Sequence, residues 1–285
     1  MLIVHLTDLH LVTPGRCLFG LDPLAQLELA LDHLAARFAD ADVVLVTGDL
    51  TDVGHPVAYA ALRERLQHVP PPTALLIGNH DEREAFVEVF PEAPRDPAGF
   101  IQRVVDHDDG TSLVTLDTHV PGAAHGQLCE TRLAWLADVL AMRPERAVAL
   151  AMHHPPVDCG IPGMDAIGLV DPLSFWRVVD ASPQVRHVFA GHIHRTYLGR
   201  RGTVSVSTLP GTSHQVHLQF GAEGAVLGSH EPGAYAVAKF TPTTLDLHHI
   251  AFADRSPRFV FDDAASAAQS PDVLPPPGAP WDRFL

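Results

Sequence analysis

Cationic side chains are scarce in this sequence: 19 Lys and Arg stand against 34 Asp and Glu, for a formal net charge of −15. Binding to a nucleic-acid backbone relies on Lys and Arg, so a nucleic acid polymer is not expected as the main partner. Cysteine is scarcer still. Cys17, Cys129 and Cys159 are odd in number and lack metal-type spacing, which predicts a reduced, cytoplasmic protein. No apolar run approaches the ~18 residues needed to span a bilayer, so no membrane partner is expected. Met1 to Leu6 lacks the basic flank of a secretory signal and reads as a first strand.

What is present is a chain of 285 residues, 46% hydrophobic, enough for one large α/β domain or a domain with an appendage. Short continuous apolar runs at Leu2–Leu6, Val43–Thr47, Thr73–Ile77, Leu113–Asp117, Ala147–Met152 and Val185–Ala190 have the pattern of strands buried on both faces. Helical spacing fills the intervals. Leu24, Leu27, Leu31, Leu34 and Phe38 trace one face, with Asp22 as N-cap and Pro23 at the first helical position. Further helices are predicted from near Pro56, Thr131 and Pro172. This alternation predicts an α/β architecture. After Arg200 the pattern becomes β-like at Val204–Leu209, Gln215–Phe220, Ala234–Phe240 and Leu245–Ala251, predicting completion of a second sheet and a small cap. The expected division is one domain over residues 1–255, its C-terminal β/cap segment over about 200–255, and a Pro/Ala-rich tail over 256–285. That tail is expected to be either disordered or laid over the surface and anchored by Trp281 and Phe284.

Directly after the apolar runs lie five short polar islands: Asp8-Leu9-His10, Gly48-Asp49, Gly78-Asn79-His80-Asp81, His153-His154-Pro155-Pro156 and Gly191-His192-Ile193-His194. In open α/β sheets the carboxyl edge of the strands is where ligands bind. Taken singly, each island has a bland explanation: Gly-Asp is a frequent turn, Asn79 suits a turn, and His153 suits a satisfied core histidine. Together, and in order along one sheet edge, they supply Asp, His, Asp, Asn, His, His and His. That is a full ligand set for a pair of divalent cations, the recurrent device for attack at phosphorus. Asp8 with His10, and His192 with His194, are expected to point the same way across an extended strand end. Carboxylate, amide and imidazole ligands without thiolate suit Fe(II), Mn(II), Co(II) or Zn(II).

With these islands the sequence resembles the calcineurin-like metallophosphoesterases, and within them the class III cyclic nucleotide phosphodiesterases and bacterial glycerophosphodiesterases. The likeness extends to about Phe252 and includes Met152-His153-His154-Pro155-Pro156 and the later Leu209-Pro210-Gly211-Thr212-Ser213-His214-Gln215 segment. It implies a four-layer αββα sandwich, a C-terminal cap and a homo-oligomer, dimer or higher. It also implies one metal among Asp8, His10, Asp49 and His194, and a second among Asp49, Asn79, His153 and His192, with Asp49 bridging. Two such cations sharing a water would create a hydroxide nucleophile at neutral pH. His80 would stand beside the substrate as general acid or phosphate-orienting group, with Asn79 and His214 near the same pocket. Asp81 would fix the His80 ring, and His154 would not be a ligand. The implied activity is hydrolysis of a small phosphodiester, a glycerophosphodiester or cyclic nucleotide. Alternatives are a phosphomonoesterase or pyrophosphatase of the same fold, or a non-catalytic scaffold. Lipid-precursor pyrophosphatases of this type carry Arg where this chain has His80.

Overall fold

Side-chain alternation along the strands sorts the fold into layers. The computed structural model describes residues 1–220 and 226–256. Ile3, Val43, Leu45, Ala149, Ala151 and Phe189 meet in a buried layer between two sheets. Their neighbours Val4, Leu6, Val44 and Val46 point the opposite way. They pack on the helices Pro23–Arg37, Pro56–Leu66 and Arg83–Val89 through Leu27, Leu34, Tyr59 and Phe86. Across the molecule Val148 and Leu150 pack on the helices Glu130–Ala141 and Pro172–Asp180 through Leu136, Leu140, Phe175 and Val179. Four layers result, helix–sheet–sheet–helix.

The first sheet runs Leu245–Ile250, Tyr235–Phe240, Leu2–Leu6, Val43–Thr47 and Thr73–Leu76 in spatial order, its last three strands parallel. The second runs Tyr197–Arg201, Val204–Thr208, Val185–Phe189, Ala147–Ala151, Thr111–Thr115 and Arg103–Asp106, with an antiparallel strand at each edge. Helix starts follow the local chemistry: Asp22 Oδ1 accepts from the backbone N–H of Leu24 at 3.0 Å and of Ala25 at 3.2 Å.

The C-terminal β segments differ in place from the expectation. Val204–Thr208 joins the second sheet, whereas Tyr235–Phe240 and Leu245–Ile250 extend the first. Gln215–Val216 and Gly228–Ser229 pair in a separate two-stranded antiparallel ribbon. Residues Met1–Phe252 form one compact unit. Trp281 and Phe284, expected to anchor the tail, lie outside the described residues. Among the described residues no helix is long and apolar enough to cross a membrane.

Toward the carboxyl edge the inter-sheet layer turns polar. His5 Nε2 lies 2.8 Å from Thr47 Oγ1, which donates to Thr7 Oγ1 at 2.8 Å. His187 is held by Ser205 and Ser207 at 2.7 and 2.9 Å. Burial pushes both histidines down to about 3, so they stay neutral hydrogen-bonding groups at physiological pH. This polar floor carries the loops that hold the site.

Candidate metal centre

Beyond the strand ends the first two islands zip together through their backbones. Asp8 N–H donates to Gly48 O at 3.1 Å and His10 N–H to Asp49 O at 2.9 Å. The backbone there is not extended. Among the described residues seven non-glycine residues have positive φ, and five of them are Asp8, His10, Asp49, His192 and His194. Asp and His tolerate this left-handed region better than most residues, and such strain concentrates where a side chain must be aimed. Left-handed turns, rather than strand alternation, therefore aim Asp8 with His10. The same geometry parts His192 from His194, so they do not act as a pair. His194 reaches Asp8 and His10, whereas His192 reaches Asn79.

Glycine makes this crowding possible. A Cβ on Gly78 would sit 2.2 Å from Asp49 Oδ1, and one on Gly48, at φ +96°, would sit 2.6 Å from His153 Nδ1.

All seven predicted ligands converge. His10 Nε2 and His153 Nε2 approach the same Asp49 oxygen, Oδ2, at 3.5 and 3.4 Å. His194 Nε2 lies 3.4 Å from Asp8 Oδ1 and 3.1 Å from His10 Nε2. Asn79 Oδ1 lies 3.1 Å from His153 Nε2 and 3.0 Å from His192 Nδ1. Ligand atoms ~2.0–2.2 Å from one cation stand roughly 3.0–3.5 Å from each other, so these spacings fit two cations that share Asp49.

The proton inventory fits as well. His194 Nδ1 donates to the His214 carbonyl at 2.8 Å, and His153 Nδ1 to the Thr47 carbonyl at 2.7 Å. His10 Nδ1 faces Asp52 Oδ1 at 3.3 Å. Carbonyl and carboxylate oxygens only accept, so each of these rings donates through Nδ1 and presents Nε2 to the cluster. Three Nε2 atoms thus converge in a buried site. Burial works against charge on His153, but the Asp49 carboxylate beside it holds it up to about 9. His192 is driven by burial, and then by His153, down to about 3, and its Nε2 is buried without a partner. Buried imidazoles and carboxylates this close together form groups that could hold a cation.

His154 belongs to another network. Its Nε2 donates to the Ala124 carbonyl at 3.2 Å, leaving Nδ1 to accept from Thr118 Oγ1 at 2.8 Å. With both nitrogens committed it has no lone pair to give.

His80 stands at the mouth, its side chain 41% exposed while the Asp and His ligands around it are buried. Its Nδ1 donates to the Asp52 carbonyl at 2.8 Å and its backbone N–H to Asp49 Oδ1 at 2.9 Å. Nε2 has no hydrogen-bond partner among the described residues. The residue that fixes this ring is Asp52 rather than the predicted Asp81. Sequence reading missed Asp52; its only signal is a second acid three positions after Asp49.

Asp81 is a loop clamp. Its oxygens accept from the backbone N–H of Leu50, Thr51 and Gly78 at 3.0, 3.1 and 2.9 Å, and from the Tyr59 hydroxyl at 2.8 Å. It thus ties the Asp49 loop to the Asn79 loop. Burial, and then the Asp49 carboxylate, push it up to about 6. Asp81→Ala would strand these buried donors, and we expect a loss of about 3 kcal/mol or more in stability. Denaturant unfolding checks this; an effect under about 1 kcal/mol would return Asp81 to the catalytic role.

His214 lies beside the cluster, its ring centroid 4.8 Å from those of His10 and His194. Burial, followed by those two histidines, pushes it down to about 3.

Residues 1–196 match the family model described as calcineurin-like phosphoesterase. The chain belongs to that family. A probable cyclic nucleotide phosphodiesterase of Rhodopseudomonas palustris is 39% identical over 269 residues, covering 93% of this chain and 98% of the relative. A glycerophosphodiester phosphodiesterase of Enterobacter lignolyticus is 30% identical over 221 residues, covering 76% of this chain and 79% of the relative. Among solved structures, a dimetal phosphatase from Danio rerio superposes with a TM-score of 0.69 at 15% identity, covering 89% of this chain and 96% of that one. That likeness speaks to the fold, the four-layer metallophosphoesterase architecture. Members of the calcineurin-like family use divalent metals, and this chain's Asp and His clusters supply suitable groups.

Proposed function

We propose that this chain is a phosphodiesterase that works with two divalent cations. One would be held by Asp8, His10, Asp49 and His194, the other by Asp49, Asn79, His153 and His192. The observation that carries this reading is the convergence of His10 Nε2 and His194 Nε2, 3.1 Å apart, beside the carboxylates of Asp8 and Asp49 in one buried group. Bound there, the cations would supply charge to polarise a phosphoryl oxygen and acidify a water. The relatives named for action on cyclic nucleotides and on glycerophosphodiesters support a diester as the substrate.

The chain's own residues divide the remaining work. Asp52, through its carbonyl, holds His80 in the tautomer whose Nε2 faces the cleft. In its protonated form that ring can give a proton to a departing alkoxide. Asp81 keeps the Asp49 and Asn79 loops in register. The unpaired thiols Cys17, Cys129 and Cys159 are in keeping with a reducing compartment such as the cytoplasm. The homo-oligomer implied by the family resemblance is read directly by light scattering.

Charge near the site favours diesters over monoesters. Arg83 is held bidentately by Asp117 at 3.1 Å, and Arg195 is held by Glu231 and by the Val216 carbonyl. These are the two arginines that follow the islands most closely in sequence, and both are committed. A monoester brings one more negative charge and would need further cationic donors. We therefore expect a larger kcat/KM for bis(4-nitrophenyl) phosphate than for 4-nitrophenyl phosphate. Steady-state kinetics with reconstituted metals checks it, and the reverse order would make the chain a phosphomonoesterase.

A further inference from the structure

Beside the proposed metal centre opens a cleft of about 660 Å³, in the size range of small-molecule sites. Phe19, His214, Val216, Val226 and Leu227 line it together with the polar side chains of Gln215, Ser229 and His230. Among the described residues that line it there is no Asp, Glu, Lys or Arg. His214 links the cleft to the metal centre: its ring stacks edge-on with Phe19 at 4.8 Å and also lies 4.8 Å from His10.

Phe19 is the unusual member. Leu18 and Leu21 exchange backbone hydrogen bonds of 2.8 and 2.9 Å across a two-residue turn, and both central residues have positive φ, +49° at Phe19 and +84° at Gly20. Asn and Gly dominate such turns, and a bulky aromatic residue there is an outlier. The strain wins nothing in the core, because Phe19 is 67% exposed. Its carbonyl accepts from His230 Nε2 at 2.9 Å, which joins the turn to the opposite side of the cleft. A strained, exposed aromatic residue braced at a cleft whose described lining carries no Asp, Glu, Lys or Arg points to a ligand.

We propose that Phe19 is a specificity residue, an aromatic platform for a planar, uncharged ring carried by the diester, such as a nucleobase. This rests on the diesterase reading and narrows it. A polyol arm would lay hydroxyls against the apolar side chains of Phe19, Val216, Val226 and Leu227, with Gln215, Ser229 and the two histidines, His214 and His230, as the polar lining left to meet them. A heteroaromatic ring offers its π-face to Phe19 and apolar area to the aliphatic side chains, and base–aromatic stacking is sequence-tolerant and strong enough to matter by about tenfold or more in affinity.

The test pairs two diesters, 3′,5′-cyclic AMP and glycerophosphoglycerol, on the metal-loaded full chain. Phe19→Asn places a residue that favours this turn where the ring was, so the melting temperature should not fall. The ratio of kcat/KM for cyclic AMP over glycerophosphoglycerol should drop about tenfold through KM, and Phe19→Trp should restore it. An unchanged ratio in Phe19→Asn overturns the proposal. Calorimetric binding of AMP separates this inference from the functional reading. Binding weakened by Phe19→Asn in a chain that hydrolyses neither diester would support the platform and refute the diesterase; binding indifferent to Phe19 would refute the platform.

Discussion

Asp49→Ala is expected to abolish stoichiometric binding of two cations and to lower diester hydrolysis by about a thousandfold. The reason is geometric: one oxygen, Asp49 Oδ2, stands within 3.5 Å of both His10 Nε2 and His153 Nε2. No other carboxylate of the cluster serves both halves, so its loss removes charge from both proposed positions at once. Metal catalysis contributes several kcal/mol of transition-state stabilisation, and ~4 kcal/mol is about three orders of magnitude in rate. Elemental analysis of the purified variant checks the metal count, and circular dichroism checks that the fold persists. Two tightly held ions in Asp49→Ala would refute the bridging role.

His80→Ala should do something different: keep both cations and lose turnover by ~10²–10⁴ on diesters with poor leaving groups. Its ring is hydrogen-bonded through Nδ1 to the Asp52 carbonyl, packs edge-on against His10 at 4.7 Å and is 41% exposed, so removing it leaves the hydrogen bonds among the proposed ligands intact. An alkyl leaving group needs its proton, whereas a nitrophenolate leaves without one. The loss should therefore be large on glycerophosphodiesters or cyclic nucleotides and small on bis(4-nitrophenyl) phosphate. Equal losses on both would assign His80 to holding the phosphate.

Much of this arrangement was legible in the chain itself, for identifiable reasons. The Leu2–Leu6 and Val43–Thr47 strands were readable because burial on both faces leaves a mostly apolar run, broken only by His5 and closed by Thr47. The first helix was readable because Asp22 and Pro23 write its start in local chemistry. The ligand candidates were readable because each follows such a strand in order. Features set by contacts distant in sequence were not. The edge strand Arg103–Asp106 is only half-buried, so it carries no continuous apolar signal. The seven-residue helix Arg83–Val89 lacks a side-chain cap. Asp81 follows His80 directly, yet its carboxylate turns away to Leu50, Thr51 and Tyr59, residues that only the fold brings near. Asp52 gave no pattern of its own and acquires its place through the loop that pairs with Leu11. Left-handed backbone at Asp8 and His192 is likewise invisible to alternation, which assumes an extended chain.

The central claim is that two divalent cations at one Asp49-bridged site support diester hydrolysis. Stripping the wild-type chain with a chelator and titrating Mn(II) back, while following bis(4-nitrophenyl) phosphate hydrolysis and bound metal together, tests it most directly. An Asp49-bridged pair of cations requires an inactive metal-free protein whose activity rises to its plateau only as the second equivalent binds. Full activity in the metal-free protein, or a plateau at one equivalent, would contradict it.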